Sequence, residues 1–226
     1  MQKRVSIEEA LKHVRDGMTI MVGGFLGVGS PEKLIDALVR KGVKDLTLIC
    51  NDTAFVDRGV GKMVVAHQFR KIIASHIGTN AETGRQMTAG ETEVELVPQG
   101  TLAEKIRCGG AGLGGFYTPT GVGTVVADGK ETREFNGRQY LLEIPLRADV
   151  ALVKAHKADE AGNIIYRRSA RNFNPLMAMA ADLVIAEVDN LVTTGEIDQD
   201  HVMTPGIFVN HLVKEDDEWT AQNAAN

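Results

Sequence analysis

The sequence predicts an α/β fold, an open and mostly parallel sheet flanked by helices. Three observations lead there. Short apolar runs alternate with segments whose apolar residues recur at helical spacing. The first of these runs, Met18–Val22, is short and apolar, as a strand covered on both faces is. Glycine is plentiful, 24 residues against 6 prolines, without any low-complexity tract, so it serves turns and close backbone approaches. At 226 residues, roughly 70–75% of the unfolded surface can be buried, and no staple is needed. No linker or internal repeat divides the chain, so residues 1–226 are expected to form one domain.

The elements follow in order. Ser6 and Glu9 form a capping box, and Ile7, Ala10, Leu11 and Val14 then line one helical face up to Gly17. Met18–Val22 reads as a buried strand. A glycine loop follows, Gly23-Gly24-Phe25-Leu26-Gly27-Val28-Gly29, and then Ser30 as an N-cap with Pro31 at the first helical position. Leu34, Ile35, Leu38 and Val39 make the next helical face, which Gly42 closes. Strands are predicted at Leu46–Cys50, Lys71–Ala74 and Glu93–Val97. Thr101 with Glu104 reads as a second capping box, opening a helix that stops at Gly109. Asn136-Gly137 is a hairpin turn. Val150–Val153 and Leu183–Glu187 are further strands, and Asn174-Pro175 caps a short helix through Ala181. The polar tail, residues 214–226, is expected to fray.

Composition narrows the function. The net charge is −5 with no basic stripe, which argues against nucleic acid as a partner. Cys50 and Cys108 lack metal or redox spacing and read as reduced core residues. The six histidines form no ligand pattern, so no metal is expected. There is no run of 18 apolar residues and no apolar leader at the first residues, so the expectation is a cytoplasmic protein with no membrane partner.

Two sets of residues carry chemistry. The loop Gly23–Gly29 joins a strand end to a helix start, where backbone N–H groups and the helix dipole favour an anion or a developing oxyanion. A tight turn without a ligand is the alternative. The loop is not the dinucleotide fingerprint: Gly24, Gly27 and Gly29 read G-x-x-G-x-G rather than G-x-G-x-x-G. The second set is Asn51, Asp52 and Gln99, each just past a predicted strand, at the edge where open α/β sheets gather ligands. The Asn51 and Gln99 amides can orient a carboxylate or polarise a carbonyl, although turn chemistry accounts for the same residues. Ser75-His76 offers a nucleophile and a base, but neighbours on a strand point to opposite faces.

The segment Asp16-Gly17-Met18-Thr19-Ile20-Met21-Val22-Gly23-Gly24-Phe25-Leu26-Gly27-Val28-Gly29-Ser30-Pro31 resembles the first signature of the family I coenzyme A transferases at every fixed position. Further segments match in the family's order: Leu48–Asp52, Ser75–Gly78, Val97–Glu104, Arg107–Gly112, Phe116–Thr124, Ala170–Pro175 and Thr204–Gly206. Together they span about residues 3 to 213, and the resemblance is to the family's alpha subunits of the acetate/acetoacetate type.

The resemblance implies an open α/β sheet with a smaller β-rich lobe, placed at about residues 109–143. It implies acyl-CoA and short-chain carboxylates as substrates, with coenzyme A exchanged through a glutamyl-CoA thioester on the enzyme. The glutamate belongs to a Ser-Glu-Asn-Gly type loop, and no such run occurs here. The resemblance therefore implies a beta subunit that carries the catalytic glutamate, in an alpha2beta2 assembly. It makes Gly23, Gly24, Phe25, Leu26, Gly27, Val28 and Gly29 the coenzyme A-contacting loop, and Asn51 and Gln99 the supporting residues of the acyl pocket. A non-catalytic metabolite-binding module, or a sugar-phosphate isomerase on a related fold, are the other readings of such a scaffold.

Overall fold

The computed structural model describes residues 3–214. In chain order its strands are β1 (Thr19–Val22), β2 (Leu46–Ile49), β3 (Phe69–Ala74), β4 (Glu93–Leu96), β5 (Phe116–Thr118), β6 (Thr132–Phe135), β7 (Arg138–Glu143), β8 (Ala148–Asp159), β9 (Ile164–Ile165), β10 (Ala181–Val192) and β11 (His211–Lys214). The helices are α1 (Ile7–Leu11), α2 (Glu32–Lys41), α3 (Gly61–Val65), α4 (Ala81–Thr88), α5 (Gln99–Gly110) and α6 (Asn174–Met179).

Seven strands form a parallel path, β11-β10-β8-β1-β2-β3-β4, and β9 folds back antiparallel on β8. The apolar runs alternate across it. Ile20, Val22, Leu48, Ile72, Val150 and Leu152 pack on one face with α1 and α2. Met21, Ile49, Ile73, Ala151 and Val153 pack on the other with α5 and α6. The chain winds outward from β1 through β4, then restarts at β8 on the far side. The strand order therefore reverses between β1 and β8, the place where such sheets bind ligands at their carboxyl ends.

The smaller lobe is a three-stranded antiparallel sheet, β5-β7-β6. Asn136 (φ 52°) and Gly137 (φ 76°) make its hairpin turn, pairing Phe135 with Arg138. Gly109 and Gly110 close α5 instead of joining this sheet, which starts at Phe116. Its inner face is anchored by Glu143, 1% exposed and bonded to Lys105 of α5 at 3.2 Å and to Lys130 at 2.5 Å.

Several local expectations are corrected. Ser30 does not cap α2: Pro31 holds the cap position, and the N–H groups of Lys33 and Leu34 donate to Glu187 Oε2 at 2.8 and 3.0 Å. A carboxylate from β10 thus completes the helix start, which no local pattern shows. Thr101 lies inside α5, because Pro98 supplies the entry and its carbonyl accepts from the Leu102 N–H at 2.8 Å. Asn174 is the first residue of α6 rather than its cap, and that helix stops at Met179. β8 and β10 are 12 residues each, far longer than their apolar runs. Their polar extensions stay in the sheet because they pair across it, Lys154 with Glu187 at 3.0 Å and His156 with Asp189 at 3.3 Å. Helices α3 and α4 escape the sequence pattern. In α4 the side of the helix turned inward carries Thr83 and Gln86, so there is no apolar stripe to read. Of the tail expected to fray, Lys214 closes β11 and residues 215–226 lie outside the described residues.

Candidate active site

The loop after β1 is held from several sides. The Gly23 N–H donates to Leu152 O at 2.9 Å, continuing the sheet, and the Gly24 N–H to Asn172 Oδ1 at 3.2 Å. Phe25 and Val28 exchange N–H···O bonds of 3.0 and 2.9 Å across a turn with left-handed Leu26 (φ 49°) and Gly27 (φ 82°). The Leu26 N–H donates to both carboxylate oxygens of Asp52, at 3.2 and 3.0 Å. Ser30 N–H closes the loop on Gly27 O at 3.3 Å. Of the loop's N–H groups, those of Gly27 and Gly29 have no acceptor among the described residues, so a ligand on this loop meets two backbone donors rather than a continuous row. A side chain at Gly27 would run into the Arg58 methylenes, with Cγ at 2.8 Å, and one at Gly23 would overlap Asn174 Oδ1.

Asn172 and Asn174 tie the loop to the other half of the sheet. Asn172 Nδ2 donates to Val28 O at 2.9 Å. Asn174 Nδ2 donates to Gly29 O at 3.0 Å and Ala170 O at 2.9 Å, while its Oδ1 accepts from the Lys154 N–H at 3.0 Å. Glu187 holds the helix that follows. Burial pushes its carboxyl up, against the pull of Lys154 and the Leu34 and Lys33 N–H groups. Lys154 is driven down by burial, but Glu187 and Asp189 outweigh this and raise it, so its ammonium stays charged.

Beside the loop an open pocket of about 390 Å³ is lined by Phe25, Leu26, Asn51, Asp52, Ser75, His76, Thr79 and Gln99. It sits at the carboxyl ends of β1 to β4. Asn51, 2% exposed, is its hub. Its Oδ1 accepts from Gln99 Nε2 at 2.9 Å and Ser75 Oγ at 3.1 Å, and its Nδ2 donates to Asp52 Oδ2 at 2.6 Å. Each amide nitrogen carries two hydrogens and spends one here, which leaves one on Asn51 and one on Gln99 for a ligand. Asp52 is the one carboxylate in the lining, and it is committed: Leu26 N–H, Ala54 N–H (2.8 Å) and Asn51 Nδ2 all donate to it. It pins the glycine loop to the end of β2. Burial pushes the neighbouring Cys50 thiol up, and the Asp52 charge adds to this, so Cys50 is not a nucleophile.

The structure therefore brings Phe25 and Leu26 of the predicted loop together with Asn51 and Gln99. Gly23 and Gly24 serve as scaffold, and Val28 and Gly29 face the opposite flank, toward Lys154 and Arg168. Ser75 and His76 both line the pocket, contrary to the opposite-face argument, because β3 ends at Ala74 and strand alternation ends with it. Ser75 Oγ is spent on Asn51 O at 2.7 Å and on Asn51 Oδ1, so it orients Asn51 and is not paired with a base. The sequence reading missed Thr79, Asn172 and Asn174. The last two lie in the matched segment Ala170–Pro175, and that segment was their only signal. Among the described residues no cluster of His, Cys, Asp or Glu is arranged to hold a metal, and no helix is long and apolar enough to cross a membrane.

An open α/β sheet with a ligand pocket at its carboxyl edge and a small antiparallel lobe defines the class of protein. The comparisons specify it. Residues 4–215 match the coenzyme A transferase family, and the chain belongs to that family. It is 60% identical over 211 residues to the acetate CoA-transferase subunit alpha of Escherichia coli K12, covering 93% of this chain and 96% of the relative. It is 51% identical over 213 residues to the acetoacetyl-CoA:acetate/butyrate CoA transferase alpha subunit of Clostridium acetobutylicum, covering 94% and 98%. Among solved structures, an acyl-CoA transferase of E. coli O157:H7, in a thioester complex with CoA, shares the fold with a TM-score of 0.85 at 21% identity. That superposition covers 100% of this chain and 49% of the other, so this chain spans about half the length of that structure.

Proposed function

We propose that this chain is the alpha subunit of a cytoplasmic, heteromeric coenzyme A transferase. It moves coenzyme A between a short-chain acyl-CoA, such as acetoacetyl-CoA, and a carboxylate such as acetate. The names of the relatives support the reaction class. The observation that carries the division of labour is the pocket's own chemistry. It offers amide donors from Asn51 and Gln99, while its single carboxylate, Asp52, is saturated by the backbone and by Asn51. The acids of β4 and α5 are also engaged. Glu93 and Glu95 bind Lys71 at 2.9 and 3.0 Å, and Glu104 binds Arg107 at 2.6 Å. On this reading the nucleophilic glutamate belongs to a beta subunit, in an alpha2beta2 assembly, and the engagement of these acids supports it.

In this reading the partner's carboxylate attacks the thioester carbonyl, giving an acyl-glutamyl anhydride and the CoA thiolate. The thiolate then attacks the glutamyl carbonyl, the acyl group leaves as its carboxylate, and a glutamyl-CoA thioester forms. The acceptor acid reverses these steps. Splitting the exchange into covalent stages replaces one difficult step by easier ones, and each stage carries the activated bond forward. This chain's part is electrostatic. The free Asn51 and Gln99 hydrogens stabilise oxyanions as they develop. The isomerase alternative needs an acid–base pair of carboxylate and lysine, and no lysine lines this pocket. The test is exchange between acetoacetyl-CoA and acetate by the purified chain, its beta subunit, and the mixture. Activity is expected on mixing alone. Exchange by this chain by itself, or its absence from the mixture, refutes the reading.

A further inference from the structure

The glycine loop has a second flank. Between it and the extensions of β8 and β10 lies another open pocket, of about 300 Å³, lined by Gly29, Lys154, His156, Arg167, Arg168 and Asp189 among others. It occupies the reversal of strand order between β1 and β8. Much of its charge is already matched. Lys154 Nζ lies 3.0 Å from Glu187 Oε1 and 2.6 Å from Asp189 Oδ1, and His156 Nδ1 lies 3.3 Å from Asp189 Oδ2. Arg167 and Arg168 are different. Their guanidinium groups make no hydrogen bond or ion pair with any described residue, so two uncompensated positive charges face the pocket of a chain whose net charge is −5.

The turn that carries them is fixed in place. Arg168 has a left-handed backbone (φ 52°), a conformation that persists only where the surroundings enforce it. The enforcement is visible: Asn174 Nδ2 bonds Ala170 O and Gly29 O, and Asn172 Nδ2 bonds Ser169 O at 3.0 Å and Val28 O at 2.9 Å. The arginine turn and the glycine loop therefore form one unit. The guanidinium fork matches phosphate oxygens. The open pocket has room for one or two phosphoryl groups between the two arginines and the glycine loop.

We propose that this pocket, through Arg167 and Arg168, grips a phosphoryl group of the coenzyme A substrate, so that the substrate straddles the glycine loop. The inference rests on the transferase reading and adds to it which chain holds phosphate. It also answers a charge problem: a polyanionic substrate approaches an acidic chain, and a local basic pocket supplies the attraction.

The test is the double variant Arg167→Gln/Arg168→Gln, reconstituted with the beta subunit. Both side chains are exposed, so folding is preserved. Three donors are compared: acetoacetyl-CoA, the same thioester of dephospho-CoA, and S-acetoacetyl-pantetheine, which has no phosphate. kcat/KM for acetoacetyl-CoA is expected to fall about ten- to a hundredfold, the size of lost charge-assisted bonds. With the pantetheine thioester the variant and the parent should agree within about twofold. If the gap has already closed with dephospho-CoA, the 3′-phosphate is the gripped group, and if it persists there, the diphosphate is. An equal loss on all three donors, or no loss on any, overturns the proposal. A parent complex without exchange activity instead refutes the transferase reading itself.

Discussion

Replacing Gln99 by Ala separates a ligand-facing role from turn chemistry. Gln99 opens α5 and is exposed, and among the described residues its side chain makes one hydrogen bond, to Asn51 Oδ1 at 2.9 Å. Removing it leaves Asn51 Oδ1 within reach of the Ser75 hydroxyl at 3.1 Å, whose single hydrogen it shares with Asn51 O at 2.7 Å. The structural cost is therefore that of one ordinary hydrogen bond, about 1 kcal/mol, or a Tm lowered by roughly 2–4 °C in a chain of this size. If the second Gln99 hydrogen meets a developing oxyanion, the loss in turnover is about 10²-fold, or about 2.7 kcal/mol of transition-state stabilisation. The assay is steady-state exchange by the reconstituted complex, with a thermal melt of the variant chain beside it. The expected result is a large fall in kcat with a small change in Tm. A variant that turns over like the parent, with its only defect in the melt, would show that Gln99 serves the helix start and nothing more.

Three further perturbations follow from the packing. Gly23→Ala places a Cβ on Asn174 Oδ1 and forces that side chain off Gly29 O and Lys154 N, at a cost of about 3 kcal/mol. A drop in Tm of roughly 6–12 °C is expected, and an unshifted melt would contradict the packing. Glu187→Ala leaves two N–H groups of α2 without an acceptor and takes from Lys154 the Glu187 carboxylate, for a loss of about 3–5 kcal/mol in urea unfolding. A loss under about 1 kcal/mol would mean that the ion pair is dispensable. Tyr166 is 3% exposed, and burial pushes its phenol up to about 12, with a partial offset from the bond to Thr204. The folded chain then holds this proton more tightly than the unfolded chain does. Its contribution is complete below pH 10 and about 2–3 kcal/mol is lost as pH rises from 10 to 12. Tyr166→Phe should flatten that part of the alkaline stability curve, and identical curves for the two chains would refute the assignment.

The sheet was legible because its physics is local. Buried strands such as Ile20–Val22 and Leu48–Cys50 are apolar on both faces, and the turn at Asn136-Gly137 needs two left-handed residues in a row. The carboxyl-edge position of Asn51 and Gln99 followed from the strand ends alone. What stayed hidden depends on partners far along the chain. Glu187 caps a helix 154 residues earlier, and Lys154 and Asp189 keep a polar stretch within two strands. The glycine loop read as a row of donors, and only long-range acceptors, Asp52, Asn172 and Leu152, reveal how few of them are left. The arginine turn had no pattern of its own, because Arg167 and Arg168 join the loop only through Asn172 and Asn174.

The central claim is that this chain cradles the exchanging bond while another chain supplies the reactive acid. Intact-protein mass spectrometry tests it directly, on the reconstituted complex incubated with acetoacetyl-CoA and without an acceptor acid. The account predicts a coenzyme A adduct, formed with loss of water, on the beta subunit and none on this chain. An adduct on a carboxylate of this chain would contradict it.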